Sequence, residues 1–270
     1  MAERTVKEIF DEQGYYGPVR FLATHKIQEY QNEVYRLMRE MNWMNTDYRC
    51  KANVLFPFIN EISKSIVIVD YVKQILGPNF SCWDTLVWIK YPQSDNYVSW
   101  HQDATYWNFL PKEKGLTVWA TLSGATKEMG CLQYVPGSHK QGQSKHSDIK
   151  TDENLLMRGQ TIDEYSKDNI VHVEARPGTF IMHSPFTVHG SDVNRSETPR
   201  VAIGFIYVAT DAKPIATFSP ESTVMVSGVD EYNYMLHDPE PTGNWEQDIK
   251  VWKQAYDRQH DNYYKMEQVF

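Results

Sequence analysis

The sequence predicts a mainly β domain, a two-sheet roll or barrel flanked by helices at both ends. Three observations predict it. From Phe80 to Val208 the chain breaks into short runs rich in aromatic and branched residues, separated by turn residues. Ahead of that stretch apolar residues recur every three or four positions, and after it they do so again. The 270 residues fit one domain: a helical part over 1–79, a β core over 80–210 and a helical extension over 211–270.

In chain order, Thr24 to Met44 reads as the first long helix. Ile27, Tyr30, Val34, Leu37, Met38 and Met41 share one face, and Thr24 is placed to cap it. A second helix is expected over about Asn60 to Leu76. Gly77-Pro78 ends it, because Gly accepts the cap conformation and Pro cannot continue a helix. The expected strands are Trp83 to Tyr91, Tyr97 to His101, Leu116 to Leu122, Cys131 to Val135, Ile170 to Glu174, Thr179 to Met182 and Val201 to Val208. Turn signals such as Ser94-Asp95-Asn96, Pro136-Gly137 and Pro177-Gly178 punctuate them. Lys140 to Asn169 is long, polar and weakly patterned, and reads as an insertion loop of the kind that often serves as a lid. Near the C-terminus, Trp245, Ile249, Trp252, Tyr256 and Tyr263 line one helical face suited to packing on the β core.

Composition narrows the function. A net charge of −8 with no clustered Lys and Arg argues against nucleic acid as a partner. No apolar run approaches the ~20 residues that span a membrane, and the N-terminus lacks the apolar stretch of a signal peptide. Cys50, Cys82 and Cys131 are odd in number and match no zinc spacing, so reduced structural thiols in a cytoplasmic protein are expected. The expected partner is a small molecule.

The sharpest local feature is Trp100-His101-Gln102-Asp103. Residues two apart on a strand face the same side, so His101 and Asp103 would aim together into a roll. An imidazole, a carboxylate and a third ligand from a distant strand make a facial triad, which leaves the opposite side of an iron ion open. Of His172, His183 and His189, His189 is the best third ligand and His183 its rival. Ser191, Asn194 and Arg200 follow His189, and an arginine there can hold a carboxylate such as the distal one of 2-oxoglutarate by two hydrogen bonds.

These stretches carry a resemblance. The chain resembles the phytanoyl-CoA dioxygenase family of iron(II)/2-oxoglutarate oxygenases at Phe10 to Tyr15, at Trp100 to Asp103, at Gly130-Cys131-Leu132 leading to Val135-Pro136-Gly137-Ser138-His139, and at His189-Gly190-Ser191 with Asn194, Ser196 and Arg200. It implies a double-stranded β-helix (jelly-roll, cupin-like) fold and iron(II) on His101, Asp103 and His189. Contacts to 2-oxoglutarate are implied from Arg200, Ser191 and Trp119, with Lys90 a further candidate. The implied reaction consumes 2-oxoglutarate and dioxygen, releases succinate and carbon dioxide, and oxidises a C–H bond. Hydroxylation is its default outcome, with C–N cleavage, desaturation and ring formation open to the same chemistry. Related halogenases replace the carboxylate ligand by a small residue; Asp103 therefore argues against halogenation. No basic cluster suits the phosphates of coenzyme A, so a small polar or amino-acid-derived metabolite is the expected substrate. The alternatives are a cupin-like, non-redox metal-binding protein and a sensor of iron or 2-oxoglutarate.

Other residues divide between site and scaffold. Tyr106 and Trp107 either line the substrate cavity or pack the core. Arg158 and Gln160 would reach substrate if the insertion folds over. His139 is either a loop element near the site or a locally bonded turn residue, and His172 is expected to face solvent.

Overall fold

The computed structural model describes residues 4–156, 158–215 and 219–265. The extreme N-terminus and residues 266–270 of the expected C-terminal extension lie outside them. The helices are α1 (Val6–Gln13), α2 (Thr24–Met41), α3 (Ala52–Leu55), α4 (Pro57–Ser63), α5 (Ile66–Leu76) and α6 (Trp245–Lys265). The strands are β1 (Tyr15–Arg20), β2 (Phe80–Lys90), β3 (Val98–His101), β4 (Phe109–Leu110), β5 (Gly115–Thr121), β6 (Leu132–Tyr134), β7 (Ser147–Asp148), β8 (Gln160–Thr161), β9 (Val171–Val173), β10 (Thr179–His183), β11 (His189–Ser191), β12 (Arg200–Ala209), β13 (Lys213–Pro214), β14 (Ser222–Ser227) and β15 (Leu236–His237).

They form two compact units. One comprises Met1–Glu33, Trp88–Thr105 and Trp119–Ile203, the other Val34–Val87, Tyr106–Val118 and Gly204–Phe270. Strands β2, β5 and β12 run through both. In the first unit β1, β10, β5, β12 and β2 are successive neighbours in one sheet, and β3, β11, β6 and β9 form a second. The pairs β1–β10, β3–β11, β11–β6 and β6–β9 are antiparallel. The sheets pack face to face: Trp119, Ile181 and Ala202 from one meet Leu132, Tyr134 and Val173 from the other. This is the expected double-stranded β-helix core. Every residue of β5, β10 and β12 is buried, so these strands show no alternation and read as continuous apolar or mixed runs.

In the second unit, α6 is tied down at both ends of its buried face. Trp252 Nε1 donates to the Cys50 carbonyl at 2.9 Å, and Asn262 Nδ2 donates to Glu221 Oε1 at 2.7 Å. The segment read as a helical extension opens with strand instead: β14 pairs antiparallel with β2, Val224 opposite Cys82, before the helix begins. Two helix boundaries also differ. Helix α2 stops at Met41 because Asn42 takes a left-handed φ of 49°. The helix expected over 60–76 is two, broken between Ser63 and Ile66, and Gly77 closes the second at a φ of 84°. Strand β1, the edge neighbour of β10, was not foreseen; its sequence, YYGPVR, mixes strand formers with breakers.

The insertion is laid onto the sheet that carries the metal motif. Ser99 Oγ donates to the Gln160 carbonyl at 2.8 Å, Ile162 N donates to the Trp100 carbonyl at 2.8 Å, and Tyr165 stacks on Trp100 at 4.7 Å. Residues 160–165 are thus packed along β3.

Candidate metal centre

Strand β3 ends on His101, and β11 begins on His189 directly opposite it in the antiparallel register. The two imidazole centroids stand 4.2 Å apart. Asp103 is not on the strand as expected: it opens a 3-10 turn, Asp103–Tyr106, which Ala104 N anchors to the Pro185 carbonyl at 3.0 Å. The turn still delivers the carboxylate. Asp103 Oδ1 lies 3.3 Å from His101 Nε2 and 3.7 Å from His189 Nε2. Among the described residues, His101, Asp103 and His189 form a group whose candidate donor atoms all lie within 4.8 Å of one another, able to hold iron.

The backbone sets the tautomers. His101 Nδ1 lies 2.8 Å from the Ser99 carbonyl, and His189 Nδ1 lies 2.9 Å from the Thr187 carbonyl. A carbonyl only accepts, so each Nδ1 carries a hydrogen and each Nε2 turns its lone pair toward the centre. Burial and the neighbouring His101 and His183 push the His189 imidazole well below its ordinary value, favouring the neutral form that binds metal. For Asp103, burial opposes ionisation, but the neighbouring His189, His101 and His183 outweigh it and hold the carboxyl well below the usual range. His183 is 1% exposed and its Nε2 lies 3.0 Å from Asp103 Oδ2. It touches the carboxylate and is outside the ligand group.

Arg200 is the other buried charge. It is 1% exposed, Nη1 donates to the Gly130 carbonyl at 2.7 Å, and the guanidinium lies over the Trp119 ring at 5.4 Å. Its Nε is buried without a partner, and no carboxylate of the described residues pairs with it. Burial lowers it only to about 10, so it stays charged at neutral pH. A buried cation with a spare donor and no counter-ion fits an anionic ligand. Gly130 is required here: its φ is 67°, and a Cβ would stand 2.0 Å from the Asp192 carbonyl oxygen.

Ser191 lies two residues beyond His189 on β11, buried at 3% exposure. Lys90 is fully buried, with Nζ 2.6 Å from Ser191 Oγ, 3.0 Å from the Ser191 carbonyl and in reach of the Asp192 carbonyl. Burial, then the nearby Arg200, lower its ammonium to about 5. Asn194 and Ser196 build the following turn: Asn194 Nδ2 donates to the Lys90 and Thr198 carbonyls, and Ser196 N and Oγ donate to Asn194 Oδ1.

Tyr106 and Trp107 belong to the second unit, in a cluster with Trp83, Phe109, Ile206 and Val208; Trp107 is 2% exposed and stacks on Phe109. Arg158 lies half-buried in the insertion. His139 Nε2 bonds the Asp11 carbonyl at 3.1 Å, and His172 is exposed on β9. Gln102, between His101 and Asp103, fixes the start of the insertion. Its amide donates to the Gly142 and Phe186 carbonyls, and its Oε1 accepts from Ser144 N. Tyr134, whose hydroxyl lies 2.9 Å from His183 Nδ1, gave no signal in the sequence beyond being an aromatic strand residue. The three cysteines are free and buried, and no helix among the described residues is long and apolar enough to cross a membrane.

Known proteins resemble this chain in sequence and in fold. A probable phytanoyl-CoA dioxygenase of Caenorhabditis elegans is 31% identical over 162 residues, covering 57% of this chain and 52% of that protein. The chain thus matches about half the length of that relative. A probable alpha-ketoglutarate-dependent hypophosphite dioxygenase of Stutzerimonas stutzeri is 27% identical, covering 83% of this chain and 76% of that protein. The solved structure of a non-heme monooxygenase, ThoJ in its apo form, superposes with a TM-score of 0.87 at 22% identity, covering 98% of this chain and all of that one, and so shares the fold. The sequence profile of the phytanoyl-CoA dioxygenase (PhyH) family matches residues 10–202, and the chain belongs to that family.

Proposed function

We propose that the protein is an iron(II)/2-oxoglutarate-dependent oxygenase of a small molecule, with His101, Asp103 and His189 as the metal ligands. One observation carries this reading. A two-histidine, one-carboxylate face with its Nε2 atoms turned inward lies in the same unit as a buried arginine that no carboxylate neutralises. The donor set suits iron(II), since imidazole and carboxylate together favour a non-haem iron with open positions. A non-redox metal-binding protein would have no use for the uncompensated cation.

The residues divide the work. Arg200 receives the distal carboxylate of 2-oxoglutarate, and its contact with the Gly130 carbonyl and the Trp119 ring holds the guanidinium in place. Ser191, held by Lys90, offers its hydroxyl to the same carboxylate. Iron, when bound, supplies the dioxygen activation that oxidises the C–H bond while 2-oxoglutarate becomes succinate and carbon dioxide. His101 and His189 are buried at 3% and 5% exposure, which limits water beside them. Asp103 keeps the carboxylate seat filled, which favours hydroxylation over halogenation. Loss of a hydroxylated carbon from nitrogen remains within the same chemistry. We assign a small polar or amino-acid-derived substrate; Tyr106, Trp107 and Arg158 are the side chains to vary when a substrate is in hand.

The test is succinate formation by anaerobically purified protein given iron(II), 2-oxoglutarate and oxygen. Succinate that disappears in Arg200→Ala and His189→Ala supports the assignment. Neither succinate nor 2-oxoglutarate binding in the metal-loaded wild type would overturn it in favour of a non-redox metal-binding protein.

A further inference from the structure

We propose that His183 and Tyr134 fix the binding mode of Asp103, confining its carboxylate to one metal-facing oxygen so that co-substrate and dioxygen keep their places on the ion. This rests on the metal assignment above. The two carboxylate oxygens have different neighbours. Oδ1 faces His101 Nε2 and His189 Nε2, at 3.3 and 3.7 Å. Oδ2 faces His183 Nε2 at 3.0 Å. An ionised carboxylate only accepts, so His183 carries a hydrogen on Nε2 and donates it to Oδ2.

The other side of the ring supports that tautomer. His183 Nδ1 lies 2.9 Å from the Tyr134 hydroxyl, which can donate to the lone pair left there. Tyr134 is fully buried and held in place, its ring stacked on Tyr15 at 4.5 Å and 4°. Tyr15 in turn sits opposite His183 in the β1–β10 register. One edge strand therefore backs both members of the relay. Turning Asp103 so that both oxygens reach the metal would break the bond to Oδ2 and leave a buried N–H unpartnered.

Coordination arithmetic makes this matter. On an octahedral ion a facial triad takes three positions, a chelating keto acid two, and dioxygen one. A chelating Asp103 would occupy a place that the co-substrate or oxygen needs. His183 is thus a positioning residue: it acts on the ion through Asp103.

The experiment uses the full chain loaded with cobalt(II), without turnover. Cobalt(II) affinity, its ligand-field absorption and 2-oxoglutarate affinity are measured for wild type, His183→Leu, His183→Gln and Tyr134→Phe, with thermal melts to confirm folding. Outer-shell partners of metal ligands typically matter by about 10- to 100-fold. His183→Leu should lose that much 2-oxoglutarate affinity and shift the absorption bands. His183→Gln, whose amide can reach the same oxygen, should recover most of it, and Tyr134→Phe should fall between. Should the leucine variant fail to fold, Tyr134→Phe, which removes one hydroxyl, decides the question by the same readouts. Unchanged spectra and 2-oxoglutarate affinity in His183→Leu, or a glutamine variant as impaired as the leucine one, would overturn the proposal while leaving the metal site standing. A wild type that binds no cobalt(II) would overturn the metal assignment and this inference with it.

Discussion

Replacing Arg200 by Met tests the co-substrate site most directly, because the arginine's situation makes two opposite demands on one substitution. In the metal-loaded protein the guanidinium is expected to pair with a carboxylate out of water. Truncating one member of such a pair costs about 3–5 kcal/mol, or roughly 150- to 4,000-fold in affinity at 1.4 kcal/mol per tenfold. In the ligand-free protein the same cation is buried with one hydrogen bond, to the Gly130 carbonyl, and an unpartnered Nε. Removing it relieves a desolvated charge and orphans one carbonyl, effects of opposite sign and similar size, about 1–3 kcal/mol each. The ligand-free variant should therefore melt within about 4 °C of wild type. Ligand at a hundredfold excess over its dissociation constant stabilises by about 2.7 kcal/mol, a rise of roughly 5–10 °C for a chain of this length. Wild type loaded with cobalt(II) should show that rise and Arg200→Met should not. Calorimetric titration of 2-oxoglutarate supplies the affinity ratio. A variant that binds within tenfold of wild type, or a ligand-free variant that loses more stability than the ligand confers, would refute the reasoning.

Three further substitutions probe the surroundings. Gly130→Ala places a Cβ 2.0 Å from a backbone oxygen at a φ of 67°; it should destabilise by about 2–4 kcal/mol in urea titration and weaken 2-oxoglutarate binding by shifting the carbonyl that holds Arg200. Lys90, about 5 when folded and about 10.4 when unfolded, binds fewer protons folded than unfolded between those values. Stability therefore rises with pH across that window, by up to about 1.4 kcal/mol per unit. Lys90→Met should lack this slope, so urea titrations at pH 6, 7 and 8 should show wild type gaining on the variant; parallel curves would contradict the buried, lowered amine. Gln102→Leu removes three hydrogen bonds to Gly142, Ser144 and Phe186 and should speed amide exchange over residues 142–146, read by hydrogen-exchange mass spectrometry, while leaving β12 protected.

The strands legible in the sequence were those with strong composition. The runs that became β2, β5, β10 and β12 are dense in aromatic and branched residues, and fully or nearly fully buried strands need that density on both faces. Strand β1 was missed because a Gly and a Pro sit inside it, and its pairing depends on β10, more than 150 residues away in the chain. Strand β14 was missed because the apolar helical face near Trp245 drew the whole C-terminal stretch into one reading, whereas Ser222–Ser227 is held by register with β2. The break between α4 and α5 leaves no mark in periodicity, since Ser63 and Lys64 suit a helix interior well enough.

The candidate site divides along the same line. His101, Asp103, His189 and Arg200 were readable because chemistry fixes their types and the chain carries them in compact motifs. Their hydrogen-bonded supports were not, because each is a contact between segments remote in sequence. Lys90 reaches Ser191, Tyr134 reaches His183, and His183 reaches Asp103 across 101, 49 and 80 residues. The expectation for Asp103 shows how a carboxylate can arrive beside His101 by a geometry other than the expected one. Strand alternation put it beside His101, yet β3 ends at His101 and a 3-10 turn carries the carboxylate instead. A turn is less rigid than a strand, so the orientation of Asp103 has to be supplied from outside it. That is the physical argument for a role of the hydrogen bond from His183: of the three candidate ligands, the one without a ladder to hold it is the one whose second oxygen is tied to another strand.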